Sequence, residues 1–172
     1  MSVFDILEPI VAALLVITIV FTLFFRIVNV SGRSMMPTLS NGDKIVISAT
    51  GYEPQRGDIV VLSGAAGIKE TIVKRIIAVG GDTLDINFMT GQVWVNGEVI
   101  DEPYIMEQTR NKGDFDRPIR IPEGYVFVMG DNRNHSADSR EASVGVLKKE
   151  DFVGRAWIRI WPLNSIGVLS HD

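Results

Sequence analysis

The feature that most constrains this fold is an uncharged, almost wholly apolar run near the N-terminus, Ile10 to Phe25 (IVAALLVITIVFTLFF). Extended by its flanking residues, the run predicts a helix over residues 9–30. Such a helix is about 33 Å long at about 1.5 Å per residue, enough to cross a hydrocarbon core of about 30 Å. A chain of 172 residues has no core large enough to bury a helix that is apolar on all sides. We therefore expect a short tail (1–8), a transmembrane helix (9–30) and one domain (31–172).

A cleaved signal peptide is the main alternative for this run. Such peptides begin with basic residues and end in a small-x-small cleavage site. Here Asp5 and Glu8 precede the run, and Arg26 to Val30 (RIVNV) follows it, so we expect the segment to remain attached. Taken alone, Arg26 and Arg33 favour a cytoplasmic position for the following domain, because positive residues tend to stay inside.

Composition excludes several classes of site. The chain has no cysteine, which rules out disulfides, thiolate metal sites and a cysteine nucleophile. Its two histidines, His135 and His171, are too few for a histidine-built metal site. The net charge is −4 and no Lys/Arg block appears, so a nucleic-acid partner is not expected. We expect no metal and no other cofactor.

The rest of the chain predicts short strands separated by turns. Runs rich in β-branched and aromatic residues are typical of strands, and they occur at 44–48, 58–62, 70–79, 92–95, 118–121, 125–129 and 155–161. Asn96-Gly97 predicts a two-residue hairpin turn. Residues 101–117 are polar and predict a surface loop. With no helical period after the apolar run, the fold class is mainly β, an antiparallel sheet of barrel-like type with one N-terminal transmembrane helix.

The first segment with chemical potential is SGRSMMPTL, residues 31–39. Gly32 permits unusual backbone dihedrals just before Ser34, and Pro37 stiffens the exit. This combination can hold a hydroxyl and nearby backbone N–H groups in one orientation, as an oxyanion hole requires. A plain loop serine is the alternative interpretation.

The second segment is TIVKRIIAV, residues 71–79. Strand alternation places Lys74 on one face with Ile72 and Ile76, and Arg75 on the other. Lys74 could be an exposed lysine that protects an edge strand. Alternatively it is buried, which would lower its pKa from about 10.4 and allow the neutral amine to act as a general base.

The third segment is GDNRNHSADSR, residues 130–140. It does not fit a calcium loop, because Arg133 and His135 occupy positions where that pattern needs Asp or Asn. It can support a site, since Ser136 can orient an amine and Asp138 can form an ion pair with Arg140.

Four motifs, SGRSMMPTL, RGDIVVL, VKRIIAVGGD and GDNRNHSADSR, follow one another after a single anchor. In kind and in order they resemble the successive boxes of bacterial type I signal peptidases, in particular the Gram-positive type. The resemblance implies an antiparallel β fold with a variable insertion between the second and third chemical segments, which is short here, at about 83–122.

The resemblance also implies roles for individual residues. Ser34 corresponds to the nucleophile, Lys74 to the general base and Ser136 to the hydroxyl that orients the lysine. Two structural ion pairs are implied, Asp138 with Arg140 and Asp131 with Arg75. Small pockets for an Ala-x-Ala ending would be lined by Met35, Leu39 and Val73. Some members have a serine that donates a second oxyanion hydrogen bond where this chain has Gly32; that donor here would be a backbone N–H near Gly32 or the Ser31 hydroxyl.

The implied activity is that of a membrane-bound serine endopeptidase that removes signal peptides from exported preproteins, with signal peptides and the lipid bilayer as partners. Ser34 follows the apolar run closely, and a signal peptide's cleavage site is exposed on the far side after translocation, so we expect an extracytoplasmic domain. Three alternatives remain. They are a histidine-dependent hydrolase using His135 or His171, a catalytically inactive anchored binding domain, and a self-cleaving repressor that also pairs a catalytic serine with a lysine.

Overall fold

The computed structural model describes residues 3–48, 52–63 and 71–169. It begins with helix α1, Val3–Phe24, whose described side chains from Asp5 onward are exposed and whose length and composition suffice to cross a membrane. The predicted boundaries at 9 and 30 were wrong at both ends. Pro9 lies inside the helix, and residues 25–29 form a strand whose backbone groups pair with a neighbouring strand. Apolar, β-branched residues suit a strand as well as a membrane helix, so composition alone misplaced the boundary.

Twelve strands follow in the described residues. In chain order they are β1 Phe25–Asn29, β2 Lys44–Ser48, β3 Ile59–Leu62, β4 Ile72–Val79, β5 Thr83–Asn87, β6 Gln92–Val95, β7 Glu98–Val99, β8 Ile119–Arg120, β9 Tyr125–Met129, β10 Leu147–Lys148, β11 Phe152–Trp161 and β12 Gly167–Val168. Three short 3-10 helices, at Arg133–His135, Lys149–Asp151 and Leu163–Ser165, complete the described elements. The domain is therefore mainly β, as predicted.

The strands form two antiparallel sheets. The large sheet has the order β1-β2-β11-β3-β4-β9-β10, and β12 pairs with β11. Strand β11 pairs with both β2 and β3 and shifts register in each pairing, which bends it and helps to curl the sheet into a half barrel. The small sheet has the order β7-β6-β5-β8 and lies within the predicted insertion.

All seven predicted strands are present with small shifts at their ends, and residue 70, the first of the strand predicted at 70–79, lies outside the described residues. The hairpin at Asn96-Gly97 is confirmed, since β6 and β7 pair across it and Asn96 has a φ of 55°. Strands β1, β5, β10 and β12 were not predicted. Two of these, β10 and β12, contain only two residues each, and β5 (TLDIN) alternates apolar with polar residues over too few positions to stand out.

Two buried apolar clusters hold the two sheets together and fix the 31–39 loop to the large sheet. One joins the small sheet to the large sheet through residues that include Leu84, Val93, Ile77 and Phe127. Another lies under the loop that connects β1 to β2 and contains residues from that loop and from β2, β3, β4 and β11. The 31–39 loop is therefore packed onto the sheet.

The segment 101–117 is more than the surface loop that was predicted. It contains no helix or strand, yet Phe115 is 8% exposed and packs in the cluster between the sheets, and Thr109 is fully buried. Glu102 pairs with the buried Arg133 at 2.6 Å. A buried guanidinium needs partners for its charge, and this segment supplies them.

We predict that Glu102→Ala will lower the free energy of unfolding by about 3 kcal/mol, because it leaves the Arg133 charge buried without its carboxylate. This value is at the lower end for broken buried pairs, since burial, which raises the pKa of Glu102, already makes its ionised form costly. Denaturant unfolding of the full chain in detergent micelles measures the change.

The matched control for this prediction is Glu53→Ala. Glu53 pairs with Lys149 at the surface, where its side chain is 81% exposed, so its removal is expected to leave stability close to wild type. Equal losses for the two variants would contradict a structural role for the buried pair.

Candidate active site

The serine loop joins β1 to β2 and is closed at its base by backbone hydrogen bonds between Val30 and its partners Asp43 and Gly42, at 2.8 and 2.9 Å. Gly32 has a φ of 88°, in the left-handed region that L side chains avoid, which agrees with the predicted need for a glycine here. Its N–H donates to Asn41 Oδ1 at 2.9 Å. These bonds fix the backbone that leads into Ser34.

Lys74 lies in β4, which is flanked on both sides by β3 and β9. The interpretation as an edge-strand lysine is therefore wrong. Lys74 is 3% exposed, and its Nζ lies 2.7 Å from Ser34 Oγ, within hydrogen-bond distance. The two residues are 40 positions apart in the sequence, so the fold brings this amine and this hydroxyl together.

Burial controls the charge of this amine. It lowers the pKa of Lys74 from 10.5 to about 8, with Arg140 adding to the shift and Asp138 opposing it. At pH 7 about a tenth of the Lys74 side chains would then be neutral, against fewer than about one in a thousand at an unperturbed pKa. A neutral amine beside a hydroxyl can accept its proton, which is the arrangement that a serine nucleophile requires.

The third chemical segment holds the serine backbone in place. Asn132 N–H donates to the Ser34 carbonyl at 2.9 Å, and its side-chain amide donates to the Arg33 carbonyl at 3.1 Å. A Cβ at Gly130 would collide with Ser136 Oγ and with the Ser34 carbonyl, so only glycine allows this close approach. The segments 31–39 and 130–140 are thereby joined at the serine.

Ser136 is buried beside these groups. Its Oγ has no hydrogen-bond partner among the described residues, and no bond to Lys74 is formed. The predicted orienting contact is therefore not made in this conformation, although the hydroxyl remains available for one. The backbone N–H of Ser34 likewise donates to no other group in the described part of the chain.

Both implied ion pairs are present as contacts, and both are bidentate. Arg75 binds Asp131 at 2.8 and 2.9 Å, and the Thr38 hydroxyl also donates to that carboxylate. Arg140 binds Asp138 twice at 2.8 Å, while Asp138 accepts the Gly130 N–H at 3.0 Å. Through Asp131, the lysine strand and the serine loop are both linked to the 130–140 segment, whereas the Arg140–Asp138 pair lies within that segment.

Sequence reasoning missed a second set of supporting residues. Arg133 is fully buried and donates to Glu102, Thr109 and the Gly130 carbonyl. The Tyr104 ring lies 3.8 Å from the Arg75 guanidinium, and burial raises the pKa of Tyr104 to about 12. No signal in the motifs singles out Arg133: they contain five arginines, and only Arg75 and Arg140 had been assigned a carboxylate.

The expected pocket residues do not line an open pocket. Met35, Leu39 and Val73 are 2%, 0% and 8% exposed and belong to the closed apolar cluster under the serine loop. Open space lies instead next to the serine loop in a cleft of about 500 Å³, lined by Arg33, Met36, Met106, Glu107, Asn132 and His135. We call it the Met36–Met106 cleft.

His135 does not form a dyad with Ser34 in the described residues. His135 is exposed at the end of a 3-10 helix and makes no hydrogen bond to Ser34. His171 lies outside the described residues. The nearest hydrogen-bonding base to the serine hydroxyl is Lys74.

Comparison with known proteins agrees with this geometry. The family model described as "Signal peptidase, peptidase S26" matches residues 3–161. "Signal peptidase I P" of Bacillus subtilis subsp. natto is 36% identical over 176 residues, covering 96% of this chain and 92% of the relative. "Probable signal peptidase I-2" of Synechocystis is 34% identical over 151 residues, which are 83% of this chain and 66% of that protein.

A solved structure is also similar. The crystal structure of a signal peptidase I from Enterococcus faecalis V583 is 26% identical and covers 62% of this chain and 98% of that one, with a TM-score of 0.48. The family model and the Bacillus relative each span most of the chain. The chain therefore belongs to the signal peptidase family, peptidase S26.

Proposed function

We propose that this chain is a membrane-bound serine endopeptidase that removes signal peptides from preproteins, with Ser34 as nucleophile and Lys74 as general base. The observation that carries the proposal is the 2.7 Å approach of a buried amine to the Ser34 hydroxyl. Family membership supports the substrate class. An inactive binding domain would have no use for a desolvated lysine at this position, because burying an amine costs stability.

The reaction follows from these atoms. Neutral Lys74 Nζ accepts the Ser34 Oγ proton as Oγ attacks the carbonyl carbon of a small residue. The resulting ammonium gives that proton to the leaving amine, and an ester to Ser34 remains. A water then loses a proton to Lys74 and attacks the ester, and Ser34 recovers its proton as the acid product leaves.

The oxyanion would receive hydrogen bonds from the serine loop. The Ser34 N–H is the first donor, because it makes no other hydrogen bond in the described structure. Gly32 N–H is a poor second donor, since Asn41 already accepts its hydrogen bond. Of the two donors expected from the sequence, the exposed Ser31 hydroxyl is the better choice.

The residues before the scissile bond would lie against the apolar cluster that contains Met35, Leu39 and Val73. Met35 and Val73 are the sequence neighbours of Ser34 and Lys74, so a residue held there is next to both reacting groups. The cluster is closed, so its side chains must move apart slightly to admit a substrate residue. A slight movement makes room only for a small side chain, which supports a preference for small-x-small sites.

The position of the domain at a membrane is supported by its surface. Helix α1 runs directly into β1, where Ile27 is 65% exposed. Further large apolar side chains are exposed on β11, β12 and the turn between them: Trp157, Trp161, Leu163, Ile166 and Val168. Tryptophan is enriched at membrane interfaces, so this surface suits the lipid headgroup region.

We place the domain on the extracytoplasmic side. A signal peptide is cleaved after its mature part has crossed the membrane, so the proposed nucleophile must be on that side. Arg26 and Arg33 oppose this orientation only weakly, because long domains translocate with little regard to a few charges.

Replacing either member of the dyad is expected to abolish cleavage. Ser34→Ala removes the nucleophile, and Lys74→Met keeps the shape of the side chain while removing the base, so each should lower kcat/KM by about 10³-fold or more. Lys74→Arg should be equally inactive, because a guanidinium stays protonated. The measurement is cleavage of a preprotein by the detergent-solubilised chain, with the cut site read by mass spectrometry.

His135→Ala is the comparison that separates this dyad from a histidine-dependent hydrolase. We expect it to lower activity by no more than several-fold. A loss at His135 as large as that at Lys74 would overturn the assignment of the base.

Activity is expected to rise with pH until Lys74 is neutral. Because burial lowers the pKa of Lys74 to about 8, kcat/KM should increase about tenfold per unit below pH 8 and level off above it. A peptide substrate without titrating groups near the scissile bond isolates this effect. A plateau that begins near pH 6.5 would indicate a histidine base instead.

The chain's lack of cysteine allows a direct test of sidedness. In intact cells a membrane-impermeant maleimide should label Glu98→Cys, in the exposed strand β7, and should label Ser2→Cys only after the membrane is permeabilised. The reverse pattern would place the domain in the cytoplasm.

A further inference from the structure

The Met36–Met106 cleft lies next to the serine loop, and the proposed reaction does not use it. The cleft has a volume of about 500 Å³. Its residues come from the serine loop, from the 101–117 segment and from the 130–140 segment. It is therefore built by the serine loop, by the 130–140 segment that is hydrogen-bonded to that loop, and by the 101–117 segment that contacts Arg133.

The cleft and the apolar cluster lie on different sides of the serine loop. Met35 is buried in the cluster, whereas Arg33 and Met36 line the cleft. The cleft adjoins Ser34, because Asn132, which lines the cleft, donates hydrogen bonds to the backbone carbonyls of both Ser34 and Arg33. An extended peptide that places its acyl part against the cluster and passes Ser34 can therefore continue into the cleft.

The walls of the cleft suit a ligand of variable sequence. Met36 and Met106 are unbranched, flexible side chains that adapt to different surfaces, and Met106 is 58% exposed. The residues that follow a signal peptide belong to unrelated proteins, so a site for them has to tolerate different side chains. A shape-specific pocket would not do so.

The cleft also carries exposed charges of both signs, Arg33 and Glu107. Charges at the rim of a site discriminate between ligands by attraction and repulsion while adding little affinity. They can therefore bias the cleft towards or against charged residues without making it selective for a shape.

We propose that the Met36–Met106 cleft binds the first residues after the scissile bond, the N-terminal segment of the mature protein, and that Arg33 and Glu107 set its charge preference. The inference rests on the proposed function, since it assigns the leaving side of the same reaction. Binding there holds the leaving amine close to Lys74, which has to protonate it.

The test uses peptides that are identical up to the scissile bond and differ only in the second residue after it, which is Asp, Gln or Lys. The full chain in detergent micelles cleaves each peptide as wild type, Arg33→Glu or Glu107→Lys. Glu107→Lys should raise the ratio of kcat/KM for the Asp peptide over the Lys peptide at least about fivefold, and Arg33→Glu should lower it by a similar factor. Both changes should shrink in 1 M salt, because exposed charges are screened.

Glu98→Lys is the matched control, because it makes the same charge change on the exposed strand β7 of the small sheet. It should keep the wild-type ratio. A shift at Glu98 equal to that at Glu107 would mean that net charge, not the cleft, sets the preference.

A second substrate separates binding in the cleft from general damage to the site. A methyl ester with the same acyl part has no residues to place in the cleft. Met106→Trp, which fills the cleft, should lower kcat/KM for the full peptides at least tenfold more than for the ester. Equal losses on both substrates would overturn the proposal.

These outcomes distinguish the two proposals. If the wild-type chain cleaves none of the peptides and not the ester, the proposed function fails. If the wild type cleaves them but Arg33→Glu and Glu107→Lys both keep its charge preference, the cleft does not bind the leaving side and only this inference fails.

Discussion

The structure of the site depends on keeping one amine out of water beside one hydroxyl. Lys74 lies in a strand covered by neighbours on both edges, and its Nζ is 2.7 Å from Ser34 Oγ. An amine in this position costs folding energy, because burial disfavours its charged form. The same burial brings the pKa of Lys74 to about 8, which suits the role of general base proposed for it. We interpret the surrounding ion pairs as contacts that keep the Lys74 amine buried beside Ser34 despite this cost.

Each buried arginine near the dyad has its own carboxylate. Arg75 binds Asp131, Arg140 binds Asp138 and Arg133 binds Glu102. Two of these pairs, Arg75–Asp131 and Arg133–Glu102, join segments that are distant in the sequence, whereas Arg140–Asp138 lies within the 130–140 segment. Because Arg75 adjoins Lys74 in β4 and Asp131 also accepts from Thr38, a shift of one segment would disturb both reacting groups. The relative position of Lys74 Nζ and Ser34 Oγ therefore depends on ion pairs and hydrogen bonds that involve neither atom.

Local sequence patterns predicted the elements that depend on neighbouring residues. They failed where a segment's structure depends on contacts with residues distant in the sequence. β-Branched runs located most strands of the large sheet, whereas the residues around Lys74 left a buried position and an exposed edge position both open. The helix end was misplaced because residues 25–29 are apolar enough for lipid, and only their pairing with β2 makes them a strand. The 101–117 segment was misjudged because its polar residues meet a buried arginine 31 positions away. The cleft joins residues 33–36 to 106–107, a contact that no short motif encodes.

The misplaced helix end changes how the proposed nucleophile relates to the bilayer. A helix reaching residue 30 would have left Ser34 on a short tether free to swing at the lipid surface. Instead β1 begins at Phe25, directly after α1, and pairs with β2 over five residues. Val30 is buried and bonded to Asp43, so the chain is fixed to the domain before it reaches the serine loop. The large sheet therefore continues directly from α1, and strand pairing sets the position of the proposed dyad relative to the end of that helix.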